Sequence, residues 1–221
     1  MVSSGRFEAR HGMRLPGGRV ALTAALLAAV ACVRPPLADD CPALAAGDLV
    51  ISELRGPQSG SYRQWIELYN PTDAPVPARG LRLEFTQLDG TSPVAFVLRD
   101  EDLTIEPGDY LVVGGGPPDD FPYIDYDYTP DFHSSTNVDA PRDLYGAATL
   151  DLVSCGVVLD HLVYMGLPAE GTLSLDGSAP PDAASNDDSR AGWCANTSPG
   201  EGPQTGIGLN GTPGEANPPC P

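Results

Sequence analysis

Residues 81–86 read Leu-Arg-Leu-Glu-Phe-Thr, in which apolar and polar side chains alternate without exception. Successive side chains of a β-strand point to opposite faces of its sheet, so this strand buries one face and exposes the other. Asp89-Gly90 follows as a hairpin turn and leads into a second strand, Val94 to Leu98. The stretch therefore predicts an antiparallel sheet with one buried and one solvent-facing side, as in a β-sandwich.

Short strands of this kind recur along the chain. Clusters of branched and aromatic residues are separated by turn residues, with 25 glycines and 24 prolines among 221 residues. This spacing predicts an all-β, antiparallel sandwich. We predict further strands at residues 49–54, 65–69, 103–105, 110–113, 150–153, 157–159, 162–164 and 172–175.

Two stretches lack a strand pattern and are predicted to be long loops. They run from Gly114 to Asp143 and from Gly177 to Arg190. Long loops in compact domains are often functional, so these are the expected binding surfaces. Their acidic residues are Asp119, Asp120, Asp125, Asp127 and Asp131 in the first loop, and Asp182, Asp187 and Asp188 in the second.

Residues 1–31 have the pattern of a secretory signal, with a basic beginning and an apolar stretch from Val20 to Ala31. The stretch is shorter than the ~20 residues needed to cross a bilayer. A small residue followed by cysteine resembles the end of a bacterial lipoprotein signal, so Cys32 is the predicted acylation site. The alternative is ordinary cleavage after Ala31 or near Ala38, which would leave Cys32 unpaired or remove it.

The rest of the chain is expected to hold a tether, residues 32–46, and one domain, residues 47–221. The full sequence has a net charge of −18, and the predicted signal removes four arginines but only one acidic residue. Such an acidic chain is a poor ligand for DNA, RNA or anionic lipid, which attract basic surfaces. We therefore expect no nucleic-acid partner, and membrane contact only through the lipid anchor.

Five segments in order resemble the lamin tail domain. Residues 50–54 (Val-Ile-Ser-Glu-Leu) are similar to its opening strand, and residues 65–70 (Trp-Ile-Glu-Leu-Tyr-Asn) to its most distinctive segment. Residues 80–83, 105–113 and 211–217 resemble its later motifs, so the resemblance covers about residues 47–217. It implies an immunoglobulin-like β-sandwich and a non-catalytic accessory or interaction module.

Five cysteines are present, and four of them lie beyond Cys32. Four cysteines allow three pairings. Cys41 and Cys220 flank the predicted domain while Cys155 and Cys194 lie within it, so we predict disulfides between Cys41 and Cys220 and between Cys155 and Cys194. A zinc site is disfavoured because the close C-x₂-C spacing is missing.

No pattern in the sequence indicates an enzyme. No serine lies in a Gly-x-Ser-x-Gly elbow, which an acyl-transfer triad of that type would need beside a histidine. His161 is interpreted as a partly exposed strand residue and His133 as loop surface. We therefore predict no catalytic residues.

The first long loop offers the best candidate ligands. Asp125, Asp127 and Asp131, with Asp119 and Asp120 nearby, could supply oxygen ligands for calcium, although the spacing does not fit an EF-hand. The favoured interpretation is a solvated acidic loop whose tyrosines pack back on the sandwich. A third reading is a protein or glycan contact made by Tyr123, Tyr126 and Tyr128.

The function expected from the sequence is a non-catalytic interaction or structural module of the bacterial cell envelope. It would be exported and anchored by a lipid on Cys32, with the outer membrane as an allowed destination. Its partner would be an envelope or extracellular protein or a glycan. The alternatives are a calcium- or glycan-binding surface adhesin, and an accessory of a secreted metal-dependent hydrolase or nuclease.

Overall fold

The computed structural model of the chain describes residues 40–58, 63–132, 143–197 and 210–221. Within these ranges the regular structure is β-strand apart from one short helix, α1 (Thr129–Phe132). The predicted signal, Cys32 and His133 lie outside the described residues. The strands are β1 (Val50–Arg55), β2 (Trp65–Tyr69), β3 (Val76–Pro77), β4 (Arg82–Thr86), β5 (Val94–Val97), β6 (Thr104–Ile105), β7 (Tyr110–Gly114), β8 (Tyr126–Asp127), β9 (Ala148–Ser154), β10 (Val157–Tyr164), β11 (Thr172–Leu175) and β12 (Trp193–Asn196).

The strands form two main sheets. The six-stranded sheet has the order β12-β11-β1-β2-β7-β8, and the four-stranded sheet has the order β10-β9-β4-β5. Every pair is antiparallel except β7 with β8. A small third sheet pairs β3 with β6. The predicted all-β sandwich is confirmed.

One apolar core lies between the two main sheets. It combines Ile66 and Leu68 from the six-stranded sheet with Leu83, Phe85 and other residues of the four-stranded sheet, all buried. The alternation in residues 81–86 works as predicted, because Leu83 and Phe85 face this core while Arg82 stays exposed. Burial of these side chains is the main favourable contribution to the fold.

A β-bulge in β1 decides which of its side chains face the core. The register against β2 shifts between Ile51 and Glu53, so Ser52 is the extra residue. A regular strand would put residues of even separation on one face, whereas here Ile51 and Leu54 both belong to the core. The bulge therefore turns Glu53 to the outer face of the six-stranded sheet.

The disulfide pairing predicted from the sequence is wrong. The structure joins Cys41 to Cys155, with 5.5 Å between their Cα atoms, and Cys194 to Cys220, with 5.8 Å. All four predicted cysteines are used, but the two chain ends are not joined to each other. Cys41 lies at the turn between β9 and β10, and the C-terminus lies against β12. Loop closures over separations of 114 and 26 residues correspond to about 5 and about 3.5 kcal/mol.

The described part of the predicted tether, residues 40–46, is attached to the sandwich. Besides the disulfide at Cys41, the Ser154 hydroxyl donates a hydrogen bond to the Pro42 carbonyl over 2.5 Å. Leu44 packs against the edge of the core. The folded part of the chain therefore begins before residue 47.

Candidate functional site

The outer face of the six-stranded sheet carries polar side chains that are buried. Glu53 and Glu67 have no solvent exposure, and Thr172 and Ser174 are equally covered. The C-terminal segment, defined here as residues 210–221, lies across them. It brings backbone and side-chain donors onto the two carboxylates.

The Glu53 carboxylate is surrounded by hydrogen-bond donors. It accepts from the Trp65 indole N–H at 3.0 Å, from the Thr172 hydroxyl at 3.0 Å and from the Ser174 hydroxyl at 2.8 Å. Thr212 adds its backbone N–H at 3.2 Å and its hydroxyl at 3.1 Å. Burial raises the pKa of Glu53, and these donors oppose the rise because they stabilise the charged form.

Glu67 has fewer partners. Its Oε1 lies 2.7 Å from the Ser52 hydroxyl, and its Oε2 accepts from the Gly214 N–H over 2.7 Å. Burial first, and then the negative charge of Glu53, raise the pKa of Glu67 well above its ordinary value. The pair therefore favours a charged Glu53 beside a protonated Glu67.

The arrangement holds the C-terminal segment and leaves the carboxylates no access to a substrate. Gly211 shows how close the contact is: a Cβ there would lie 2.6 Å from Thr172 Cγ2, and its φ of +124° is one that favours glycine. Asn217 completes the attachment by donating from its amide to the Ser52 carbonyl over 2.9 Å. The buried acids thus attach the C-terminal segment to the sheet.

The aspartates of the first long loop organise the loop itself. Asp125 accepts from the Val112 N–H at 2.8 Å, and Asp127 accepts from the Thr129 N–H and hydroxyl in a turn just before helix α1. Among the described residues, which exclude the side chain of Asp131, no three His, Cys, Asp or Glu side chains are grouped to hold a metal ion. Asp119 and Asp120 are exposed on a turn.

The tyrosines of this loop are buried. The prediction that they form a protein or glycan contact is therefore wrong. Tyr123, Tyr126 and Tyr128 are 6%, 8% and 0% exposed. Tyr123 packs edge-on against Trp65, with ring centroids 5.4 Å apart, and Tyr128 stacks on Phe96 at 4.8 Å. The favoured interpretation, in which the tyrosines pack back on the sandwich, is confirmed.

His161 forms a polar pair on the outer side of the four-stranded sheet. Its Nδ1 lies 2.6 Å from Asp151 Oδ1, and both side chains are partly exposed, as predicted for His161. An adjacent cleft of about 430 Å³ is lined by His161 with Asp160, Asp182 and Asp187. Among the described residues, the rest of its lining is alanine, glycine, valine and leucine, so the part of the chain that the structure describes places no serine, threonine or cysteine nucleophile there.

The Asp160 carboxylate is buried and accepts hydrogen bonds from three groups of the protein. Its Oδ2 accepts from the Ile51 N–H at 2.6 Å and from the Asn186 amide at 2.7 Å, and its Oδ1 accepts from the His161 N–H at 2.9 Å. Burial raises the pKa of Asp160 to about 6, and these donors oppose the rise. Asp160 therefore ties β10 to β1 and to the second long loop.

A tyrosine groove, defined here by Tyr69, Tyr110 and residues 175–181, opens on the six-stranded sheet where β2 ends and β7 begins. Tyr69 ends β2 and Tyr110 begins β7, and the two are cross-strand partners whose rings lie 4.9 Å apart at a 40° tilt. Both are half-buried. Gly108, Ala216 and Asn217 complete the lining of a groove of about 320 Å³. It is an open aromatic surface beside the attached C-terminal segment.

The sequence predicts Tyr69 and Tyr110 as strand residues but indicates no functional role for them. Alternation in β2 places Trp65, Glu67 and Tyr69 on one face, and alternation in β7 places Tyr110 there too, once the two strands are known to pair. The sequence indicates the burial of Glu53 and Glu67 only weakly, since each is a single acid inside an apolar run. Neither signal identifies the C-terminal segment as the cover.

Comparison of the chain with protein-family models, with curated proteins and with solved structures finds no match. The resemblance to the lamin tail domain therefore stays a prediction from the sequence. The helices in the described part of the chain include none long and apolar enough to cross a membrane.

Proposed function

We propose that this protein is an exported, non-catalytic interaction module of the cell envelope, held there by a lipid on Cys32. The observation that carries the proposal is the internal use of its buried acids. Glu53 and Glu67 accept hydrogen bonds from the C-terminal segment and so attach it to the sheet. The sandwich is thereby a rigid scaffold, and its open surfaces are left for a partner.

The covalent structure supports the exported location. Two disulfides are compatible with an oxidising compartment outside the cytoplasm. Both bonds fix peripheral segments, because Cys41 precedes β1 and Cys220 is next to the last residue. The two disulfides thus hold Cys41 and Cys220 on the sandwich.

The anchor is tested by expressing the full chain with an alkyne fatty acid in a bacterium that processes lipoproteins. We expect label on the wild type, loss of label in Cys32→Ser, and unchanged label in the neighbouring control Val33→Ser. Ordinary cleavage predicts instead an unlabelled mature protein, whose intact mass would place the new amino terminus after Ala31 or near Ala38.

The interaction role is tested by affinity capture from envelope extracts with the oxidised protein as bait. The matched control is the same protein after reduction and alkylation, which removes both disulfides but keeps the sequence and its charge. We expect a defined partner or glycan that elutes only from the oxidised bait. Equal recovery on both baits would mean that acidity alone causes binding and would overturn the proposal.

A further inference from the structure

We propose that the tyrosine groove binds a neutral carbohydrate ring. The inference rests on the proposed function and names the class of ligand for one surface of that module. It assigns the site to Tyr69 and Tyr110, and not to the buried tyrosines of the first long loop.

The size of the groove suits one sugar ring of an oligosaccharide, with the adjoining sugar units lying outside it. Its volume of about 320 Å³ is at the small end of ligand sites, which measure about 300–1,000 Å³. Tyr69 and Tyr110 supply a rigid aromatic wall, held by their cross-strand pairing. Tyrosine gives large contact area with few rotatable bonds, and its hydroxyl adds a polar contact.

The polar groups of the groove select a ligand rich in donors. The opposite wall contains Pro180 and Pro181, which have no backbone N–H and offer only carbonyl acceptors. Asp176 is a further acceptor, because hydrogen bonds from Ser178 and from the Cys220 N–H lower its pKa and keep it ionised. Sugar hydroxyls can donate to such a wall.

The same polarity disfavours other ligands. A proline-rich peptide would bring carbonyl acceptors and few N–H donors, so it would satisfy the acceptors of Pro180, Pro181 and Asp176 less well than a sugar rich in hydroxyls. An acidic sugar or a nucleotide would meet Asp176 in a chain whose net charge is −18. A neutral saccharide avoids both conflicts.

The groove is held in shape before any ligand arrives. The Cys194–Cys220 disulfide fixes the C-terminal end beside it, and the Cys220 N–H donates to Asp176 over 2.9 Å. The Gly177 N–H donates to the Pro218 carbonyl over 3.2 Å, and a Cβ on Gly177 would lie 1.6 Å from the Asn217 carbonyl oxygen. A preformed wall lowers the ordering cost of binding.

The test uses the full exported chain carrying Cys32→Ser, so that it is free of lipid. Amide shifts of Gly108, Gly177 and Ser178 are followed by NMR during titration with chitotriose, cellotriose and mannotriose at millimolar concentration. Trigalacturonate and decaproline are the anionic and the peptide comparisons. The chitotriose is fully N-acetylated, so that it carries no charge. We expect at least one neutral trisaccharide to shift these amides, and neither comparison ligand to do so.

The variants are Tyr110→Ala, Tyr69→Ala and Tyr110→Phe, each checked for an unchanged thermal transition. Each alanine variant should weaken binding roughly tenfold and Tyr110→Phe roughly threefold, because the ring supplies more contact than the hydroxyl. Tyr145→Ala is the matched control, since Tyr145 is a partly buried tyrosine packed against the core away from the groove, and it should bind like the parent.

Three results would overturn the inference: no shift of the groove amides with any neutral trisaccharide, equal binding of trigalacturonate, or shifts caused by decaproline alone. The affinity capture separates this failure from failure of the module itself. If the parent captures an envelope partner but no neutral trisaccharide shifts the groove amides, the proposed function stands and the carbohydrate site falls.

Discussion

Glu53 and Glu67 are cross-strand partners in β1 and β2, and both are completely buried on the outer face of the sheet. Two like charges in this position would repel each other in a medium that screens them weakly. The structure accommodates them by placing five donor groups around Glu53 and by raising the pKa of Glu67. Stability should consequently depend on the protonation of Glu67.

The first prediction concerns the pH dependence that Glu67 causes. A carboxyl whose pKa is higher in the folded state holds its proton there, so its contribution is complete below the unfolded pKa of about 4.3 and is lost as pH rises through the folded pKa. Glu67→Gln mimics the protonated acid and should remove this loss, which is at most about 1.4 kcal/mol per pH unit. Urea unfolding of the oxidised protein across a pH series measures it.

The matched control for that series is Glu106→Gln, which neutralises an exposed glutamate. It should keep the slope of the wild type. Parallel slopes for Glu67→Gln and the wild type would show that Glu67 is not the group responsible.

Asp160 provides a second pH dependence, which overlaps the lower part of the one that Glu67 causes. Its pKa is raised to about 6, so its contribution to stability should decline between about pH 4, the unfolded value, and about pH 6. Asp160→Asn should remove this step. At pH 7, where the wild-type carboxylate is ionised, the substitution should also cost about 1–3 kcal/mol, because the amide cannot accept from both the Ile51 and the His161 N–H groups.

The measurement is again urea unfolding, with Asp119→Asn as the control at an exposed aspartate. A wild-type stability that is flat between pH 4 and pH 6 would contradict the role given to Asp160.

Thr212 should be the main attachment point of the C-terminal segment. Its hydroxyl donates to Glu53 and lies 2.8 Å from Asn217 Oδ1. Thr212→Val keeps the shape and removes that hydroxyl, so it should lower the free energy of unfolding by about 1–3 kcal/mol. Thr104→Val, at an exposed position of β6, should change it little. Equal effects of the two substitutions would rule out an attachment through the hydroxyl.

The disulfides are tested by a tryptic map without reduction. The chain has no lysine, and no arginine follows Arg190, so Cys194 and Cys220 fall in one peptide, residues 191–221. The structure predicts this peptide with an internal disulfide, and a separate cross-link between the peptide ending at Arg55 and residues 143–190. The pairing expected from the sequence would join all three peptides into one species.

Most strands could be predicted because their signals are local. The β11 prediction matches the structure residue for residue, and β2 does as well. The sequence predicts two strands where the structure has β10, because a bulge between Val158 and Asp160 interrupts the pattern. Local pattern does not predict β12, since Trp-Cys-Ala-Asn has no alternation, and the two-residue strands β3 and β8 are too short to carry a pattern.

The cysteine pairing failed for a different reason. The prediction assumed that the two ends of the domain meet, whereas Cys41 lies at the β9–β10 turn and Cys220 lies beside β12. Which segments become neighbours depends on strand order, and local patterns do not contain it. The groove between Tyr69 and the loop at residues 175–181 cannot be predicted from the sequence for the same reason.

The sequence by itself determined the all-β class, the position of most strands and the packing of the loop tyrosines toward the core. These features follow from side-chain alternation and turn residues, which act within a few positions of the chain. Tertiary structure alone decided that Glu53 and Glu67 are buried together, that the C-terminal segment covers them and that the tyrosine groove opens beside it. A buried charge is tolerated only where donors from distant segments converge, and that convergence exists only in the folded protein.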